Sequence, residues 1–334
     1  MSFDSGLGVY INSETVSYFL AGALGINYTK PQSLSAYHTP FPYNQLWVKD
    51  LKQRYTGSDR IVVFSSELHE NTVADLLTLD QPKIELYLCG VINQPFLHAQ
   101  VFRYMDWFNY SITFYKNNPT FLSSRLFPFE TKPLSFDILL GCRRPNRDYV
   151  YNFILENNLR TNVIMTYFKF WNIDLRQSNE FIFDDPNVEY IETPEHTVHH
   201  VHYYGHEMTL SQVIPLDIYN QTAYTLVTET NGLNHFNFYT EKIVKPILAC
   251  RLFVVIAGQN YLRNLRSMGF KTFDGIIDET YDTIENSDTR WQMAMEQVKW
   301  LCSQNQRSIL EACKPIVEHN YNHMLTVDWQ KPLV

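Results

Sequence analysis

Short continuous apolar runs alternate along this chain with stretches whose apolar residues recur every three or four positions. A run of four to eight apolar residues between turn residues reads as a strand buried on both faces; the wider spacing reads as a helix. Arg60–Phe64 (RIVVF) and Ile84–Cys89 (IELYLC) predict the first two strands, with a helical stretch over His69–Leu79 between them. Residues 1–60 are polar and irregular, broken by Pro31, Pro40 and Pro42. Residues 99–117 are rich in aromatics and suit either class, and residues 118–135, with Pro119, Pro128 and Pro133, read as a linker. Phe136–Leu140 (FDILL) then predicts a strand, Gly141–Pro145 a turn, Asn146 an N-cap, Arg147–Asn158 a helix and Val163–Tyr167 the next strand. Ala223–Thr228 and Phe253–Ile256 predict further strands, Thr240–Ala249 and Tyr261–Met268 helices. Thr289–His323 predicts a long final helical region of one or two helices.

Strand, turn, helix, strand in that order is the mark of an α/β layer. Two α/β domains are expected, 1–130 and 131–300, followed by a helical segment over 301–334 that crosses back to the first. Composition fits: 45% of 334 residues are hydrophobic, which excludes a disordered or fibrous chain. No run of about 18 apolar residues predicts a membrane span. No basic region precedes the first apolar residues, so no signal peptide is read and a cytoplasmic location is expected (the host cytoplasm for a viral protein). The five cysteines, Cys89, Cys142, Cys250, Cys302 and Cys313, lie far apart and form no CxxC pair, which points to buried thiols. Three sequons, at Asn27, Asn109 and Asn220, carry little weight without a secretory signal.

Glycine removes several functional classes. The 12 glycines form no G-x-G-x-x-G, no G-x-x-x-x-G-K-[ST] and no G-x-S-x-G, so dinucleotide enzymes, P-loop NTPases and α/β-hydrolases lose their usual marks. No H-E-x-x-H and no Asp-x-Asp pair occurs either. Phosphate handling would therefore fall to basic side chains and helix N-termini.

The net charge is −8, yet cations gather in two islands. Arg143, Arg144 and Arg147 form one, at a predicted strand end. The other is Lys242, Lys245, Arg251, Arg263, Arg266 and Lys271, which with Glu241 as the sole acid gives 240–272 a local charge of +5. Both sit where a strand is predicted to turn into a helix, the place where open α/β sheets hold anionic ligands. A solvated helix face is the plainer reading of Arg263, Arg266 and Lys271. The arginine fork suits phosphate at the first island. Thr240 is a good N-cap, which puts Glu241 and Lys242 in the first helical turn, near free backbone N–H groups.

Val227-Thr228-Glu229-Thr230, then Phe238-Tyr239-Thr240-Glu241-Lys242, Lys245-Pro246-Ile247 and Phe253-Val254-Val255 resemble the nucleotide-sugar-binding region of glycosyltransferases with two Rossmann-like domains facing a cleft, the GT-B architecture. The pattern is nearest to the fucosyltransferase-like one, in which E-N-S precedes Y-x-T-E-K. Tyr261-Leu262-Arg263 through Phe273 and Asp278-Glu279-x-Tyr281-Asp282 resemble phage and viral proteins that carry a glycosyltransferase label. Gly141-x-x-Arg144-Pro145-x-Arg147 resembles the start of the donor-binding domain of the same group. The resemblance covers about 136–290, and Thr230-Asn231-Gly232 departs from the usual Asn-Ser, which leaves the sugar open.

The resemblance implies a donor-binding domain over 131–300 and an acceptor-side domain over 1–130. Glu241 would hold the ribose of a UDP- or GDP-sugar, Lys242, Arg147 and Arg144 its diphosphate, with Arg143 and Thr240 beside them, and Glu229 would face the nucleotide or the sugar. No metal is implied, because cationic side chains neutralise the leaving diphosphate. An inverting transfer needs a base, and Glu67, His69 and Glu70, after the RIVVF strand, form the only compact acid/base group of the first half, with His98 a weaker candidate. His196, His199, His200, His202 and His206 resemble metal ligands in spacing, but no carboxylate or Cys completes a site and a half-buried strand is the plainer reading. The acceptor is expected to be a hydroxymethylated base in DNA, such as hydroxymethylcytosine, or else a glycan or protein; no membrane partner is expected. The competing class is an inactive binding protein on the same fold.

Overall fold

The structure is a computed structural model that describes residues 8–11, 61–65, 77, 80, 82, 84–168, 187–191, 200–232, 236–329, 331 and 333. It is a mixed α/β protein with parallel sheets. Two compact units divide it: Met1–Asn109, Leu233–Tyr239 and Asp328–Val334 form the first, and Tyr110–Gly232 with Thr240–Val327 the second. The division falls at Asn109/Tyr110 rather than near residue 130, because 99–117 resolves into a strand and a helix and the predicted linker carries a short helical turn, Thr120–Ser123, packed by buried Phe121 and Leu122. The terminal helices belong to the second unit, and the seven residues from Asp328 are what return to the first.

In the first unit, β1 (Gly8–Ile11), β2 (Ile61–Ser65), β3 (Ile84–Cys89) and β4 (Gln100–Tyr104) form a parallel sheet in chain order. The runs IVVFS and IELYLC suit parallel strands, which commonly read without alternation. A two-residue strand, Phe236–Asn237, pairs antiparallel with Val91–Ile92. Gly90, at φ +114°, allows this approach: a Cβ there would sit 2.5 Å from the Asn237 carbonyl oxygen. Leu333 bridges to Arg103 on the edge strand β4, and buried Trp329 meets Phe108 edge-on at 5.0 Å.

Helix α1 (Asp106–Asn117) leads into the second unit. There β5 (Leu134–Cys142) is followed by α2 (Pro145–Glu156) and β6 (Val163–Phe168). An antiparallel sheet of β7 (Val188–Ile191), β8 (His200–Tyr203) and β9 (His206–Thr209) comes next. Then follow α3 (Leu216–Gln221), β10 (Thr222–Thr228), α4 (Glu241–Leu248), β11 (Phe253–Ile256) and α5 (Tyr261–Ser267). The final region is two helices, α6 (Ser287–Ser303) and α7 (Gln306–Thr326), N-capped by Asn286 and Asn305. No helix among the described residues is long and apolar enough to cross a membrane.

The main sheet of the second unit is parallel, in the order β11-β10-β5-β6. The chain starts in the middle at β5, steps outward to β6, then returns to the other side for β10 and β11. The winding reverses between β5 and β10. β10 is buried at every position and β11 likewise, so their side chains are the centre of the unit's core.

An ion pair lies deep in this unit. Arg251 is 3% exposed and pairs with Asp137, 1% exposed, at 2.8 Å. Its guanidinium also donates to Thr225 Oγ1, Thr222 Oγ1 and the carbonyl oxygens of Tyr219, Thr222 and Tyr224, and it lies 4.2 Å over the Tyr219 ring. The network joins β5, β10, α3 and the lead-in to β11 at the amino ends of the strands. Arg251 is thus a structural cation at the end of the sheet opposite to the one expected of the basic island.

Arg251→Met should lower the unfolding free energy by about 3–5 kcal/mol, because it strands the Asp137 carboxylate in the core. Adding Asp137→Leu should recover part of that loss. Urea denaturation of the single and double variants measures both.

Candidate functional site

The carboxyl ends of β5 and β10, where the winding reverses, are the place an open α/β sheet offers a ligand. β5 ends irregularly: its pairing with β6 shifts register between Leu139 and Cys142. A shift of this kind re-aims the residues that follow. Gly141 lies in it, and a Cβ there would sit 3.2 Å from Nη1 of Arg147, so the missing side chain lets the buried Arg147 guanidinium lie against the strand.

Helix α2 starts two residues before expectation. Its N-cap is Arg144, in extended conformation, and Pro145 takes the first helical position, so Asn146 lies inside the first turn. Asn146 is buried there and donates from Nδ2 to the carbonyl oxygen of Glu229, 3.2 Å away, which ties the β5–α2 turn to the end of β10. Arg144 is half-buried, with a buried Nε that has no hydrogen-bond partner among the described residues. Arg143 points elsewhere: it is exposed and bound through Nε and Nη2 to Asp148, whose other oxygen accepts from the Tyr167 hydroxyl at 2.6 Å.

From β10 come Glu229, Thr230 and Gly232. Glu229 is 0% exposed, and its carboxylate accepts from Thr240 Oγ1 (2.8 Å), Thr240 N (3.3 Å) and the Tyr261 hydroxyl (2.8 Å). Through Thr240, Glu229 positions the entry to α4. Burial raises its carboxyl above the ordinary glutamate value, against the Lys242 charge and these hydrogen bonds.

Thr240 caps α4 through Lys242 N, as expected. Lys242 Nζ reaches Glu241 Oε1 (2.9 Å), Thr240 Oγ1 (3.2 Å) and Thr230 Oγ1 (3.4 Å), so the two halves of the sequence motif meet in space. Burial would raise the Glu241 carboxyl, but the charges of Lys242 and Lys245 outweigh it and hold the group below its ordinary value. Burial brings Lys245 down to about 8, against the attraction of Glu241.

Arg290 shapes the rim. It is 3% exposed and donates to the carbonyl oxygens of Ala257, Gly232, Ile284 and Glu285 and to Ser287 Oγ. Gly232 is enclosed by Asn146 and Trp291, whose atoms would lie 3.1–3.2 Å from a Cβ. The N-terminus of α5 is closed from within, because Asp282 accepts from the backbone N–H groups of Leu262 and Arg263 at 2.8 and 2.9 Å. Arg266 is held by Glu279 and Thr272, and Arg263 and Lys271 are exposed.

Arg144, Arg147, Glu229, Thr240, Glu241 and Lys242 therefore belong to one end of one sheet, and Arg143 lies on the outer side of α2. Asn146, Tyr261 and Arg290 were not anticipated. Asn146 had a sequence signal in its place beside Arg144-Pro145; Tyr261 and Arg290 had none, since their partners lie 32 and 58 residues away. Glu67, His69 and Glu70 lie outside the described residues, as do His196 and His199. His98 is exposed and its backbone N–H donates to Asp80. His200 and His202 lie on β8, and His206 packs edge-on against Phe114 and Phe121. No group of three potential metal ligands occurs among the described residues.

No protein-family model matches the chain, and no curated protein matches it.

Tyr261→Phe should lower the unfolding free energy by about 1–3 kcal/mol, since it takes one donor from a buried carboxylate. The lost bond favours the ionised form, so the deficit should grow as pH rises through the glutamate range. In the wild type the raised folded value of Glu229 has the matching sign: its contribution to stability declines as pH climbs above the ordinary glutamate value. Thermal melts of both proteins across that range measure the difference.

Proposed function

We propose that this protein is a glycosyltransferase of GT-B architecture that takes a sugar from a nucleoside-diphosphate donor bound at the carboxyl ends of β5 and β10. The observation that carries the reading is the meeting, at the reversal point of a doubly wound sheet, of the Arg144/Arg147 turn with the Thr240-Glu241-Lys242 start of α4. The link between them runs from Asn146 through Glu229 to Thr240. The return of the chain to the first unit at Asp328 is further support, since that crossing belongs to the same architecture.

In this reading the cations of the β5–α2 turn and of α4 hold the diphosphate. Glu241, kept ionised by its two lysines, accepts from the ribose hydroxyls. As the bond between the anomeric carbon and the diphosphate oxygen breaks, negative charge grows on the leaving group, and fixed cations stabilise that charge without reorganising. The acceptor hydroxyl bonds to the anomeric carbon and gives its proton to a base, for which Glu67, His69 and Glu70 remain the proposed group. Arg251 is engaged internally, which removes one cation that a DNA acceptor would draw on. The reading is accordingly for an acceptor hydroxyl, whether of a modified base, a glycan or a protein.

A nucleoside diphosphate at about 100 times its Kd should raise the unfolding free energy by roughly 2.7 kcal/mol. Melts with UDP, GDP, ADP and CDP should show the stabilisation for a preferred base, and Arg144→Ala should abolish it. Absence of any shift in the wild type would overturn the donor site.

A further inference from the structure

Lysine ammonium has three N–H donors and no acceptor. In Lys242 all three have a partner: Glu241 Oε1, Thr240 Oγ1 and Thr230 Oγ1. An anion that binds Lys242 directly must displace one of them. Lys245 is one helical turn further along α4. Four residues from Glu241, it shares that residue's helix face. It is half-buried, and its ammonium has no hydrogen-bond or ion-pair partner among the described residues. A partly desolvated ammonium that no acceptor meets directly is better satisfied when an anion binds.

We propose that Lys245, rather than Lys242, is the α4 cation that grips the phosphate groups of the ligand, while Lys242 braces Glu241 and the Thr230–Thr240 junction. The inference rests on the reading of this site as one for a nucleoside diphosphate and assigns its lysines new roles within it. The braced Lys242 fixes the carboxylate and the cap; the unbraced Lys245 is free to move onto the ligand. The charged groups acting on Lys245 are Glu241, which favours its cation, and Lys242, which opposes it; no charged group from another element acts on it among the described residues. Only the protonated amine attracts phosphate. With the free group near 8, affinity is full below that pH and declines as pH rises through it.

Calorimetric titration with inorganic diphosphate, on both sides of pH 8, tests this in the full-length chain and in Lys245→Met, Lys245→Arg and Lys242→Met. Lys245→Met should weaken binding by about tenfold to a hundredfold, the usual effect of one charge-assisted contact. Lys245→Arg should keep the affinity and lose the decline near pH 8, because guanidinium stays charged; the ionisation of the probe is common to both proteins and cancels. Lys242→Met should weaken binding less than Lys245→Met. If Lys242→Met does not fold, the two Lys245 variants decide alone. Equal binding by Lys245→Met and wild type, or a pH profile unchanged in Lys245→Arg, overturns the assignment and leaves the donor site standing. If the wild type binds neither inorganic diphosphate nor any nucleoside diphosphate, the donor reading and the assignment fall together.

Discussion

A guanidinium as deeply buried as that of Arg251 is tolerable only if its donors are met, and meeting them constrains most of the second unit. Asp137 must stand at one register position of β5, Thr222 and Thr225 at two of β10, and the Tyr219 carbonyl oxygen of α3 must turn inward. An uncompensated charge there would cost several kcal/mol, so any slip of β10 against β5 is penalised by more than lost apolar contact. Fixed at their amino ends, the strands deliver their carboxyl ends in a set alignment. That alignment is what brings the turn after β5 to Glu229, through Asn146.

The sheet thus divides its polar chemistry between two ends. At the amino end the charges are paired, inaccessible and structural. At the carboxyl end they are braced but incompletely satisfied: Arg144 has a buried Nε without a hydrogen-bond partner among the described residues, and Lys245 is partly desolvated. Glu229 stands between the two kinds. Fully buried like Asp137, it spends its acceptors on Thr240 and Tyr261, and through Thr240 it sets the start of α4. The N-terminus of α5, which an anion could otherwise use, is filled by Asp282.

Strands were legible wherever the chain is buried on both faces, as in FVVI and TAYTLVT, because a continuous apolar run needs no knowledge of its neighbours. The helix start at Thr240 was legible because its cap is local. The start of α2 was misplaced by two residues because proline at the first helical position outweighs an asparagine that prefers a distant carbonyl. The basic stretch from Lys242 to Lys271 was read as one island at a strand-to-helix turn, with a solvated helix face the plainer reading of its last three members. Its members instead fall at opposite ends of β11 and onto separate partners, since charge sign in sequence says nothing of which acid folds against which base. The domain boundary was set too late because an aromatic-rich stretch has no single period, and its division into β4 and α1 depends on what covers it.

By itself the sequence determined the α/β class, the identity of the buried strands and the local cap of α4, all of which follow from periodicities and contacts within a few residues. Tertiary structure alone decided the strand order β11-β10-β5-β6 and therefore where the winding reverses. It also decided which cations are spent in ion pairs and which stay available, and that Glu229 supports the site from beneath. Each of these depends on pairings across dozens of residues. A charge reveals its role only when its counter-charge, or the lack of one, is in place beside it.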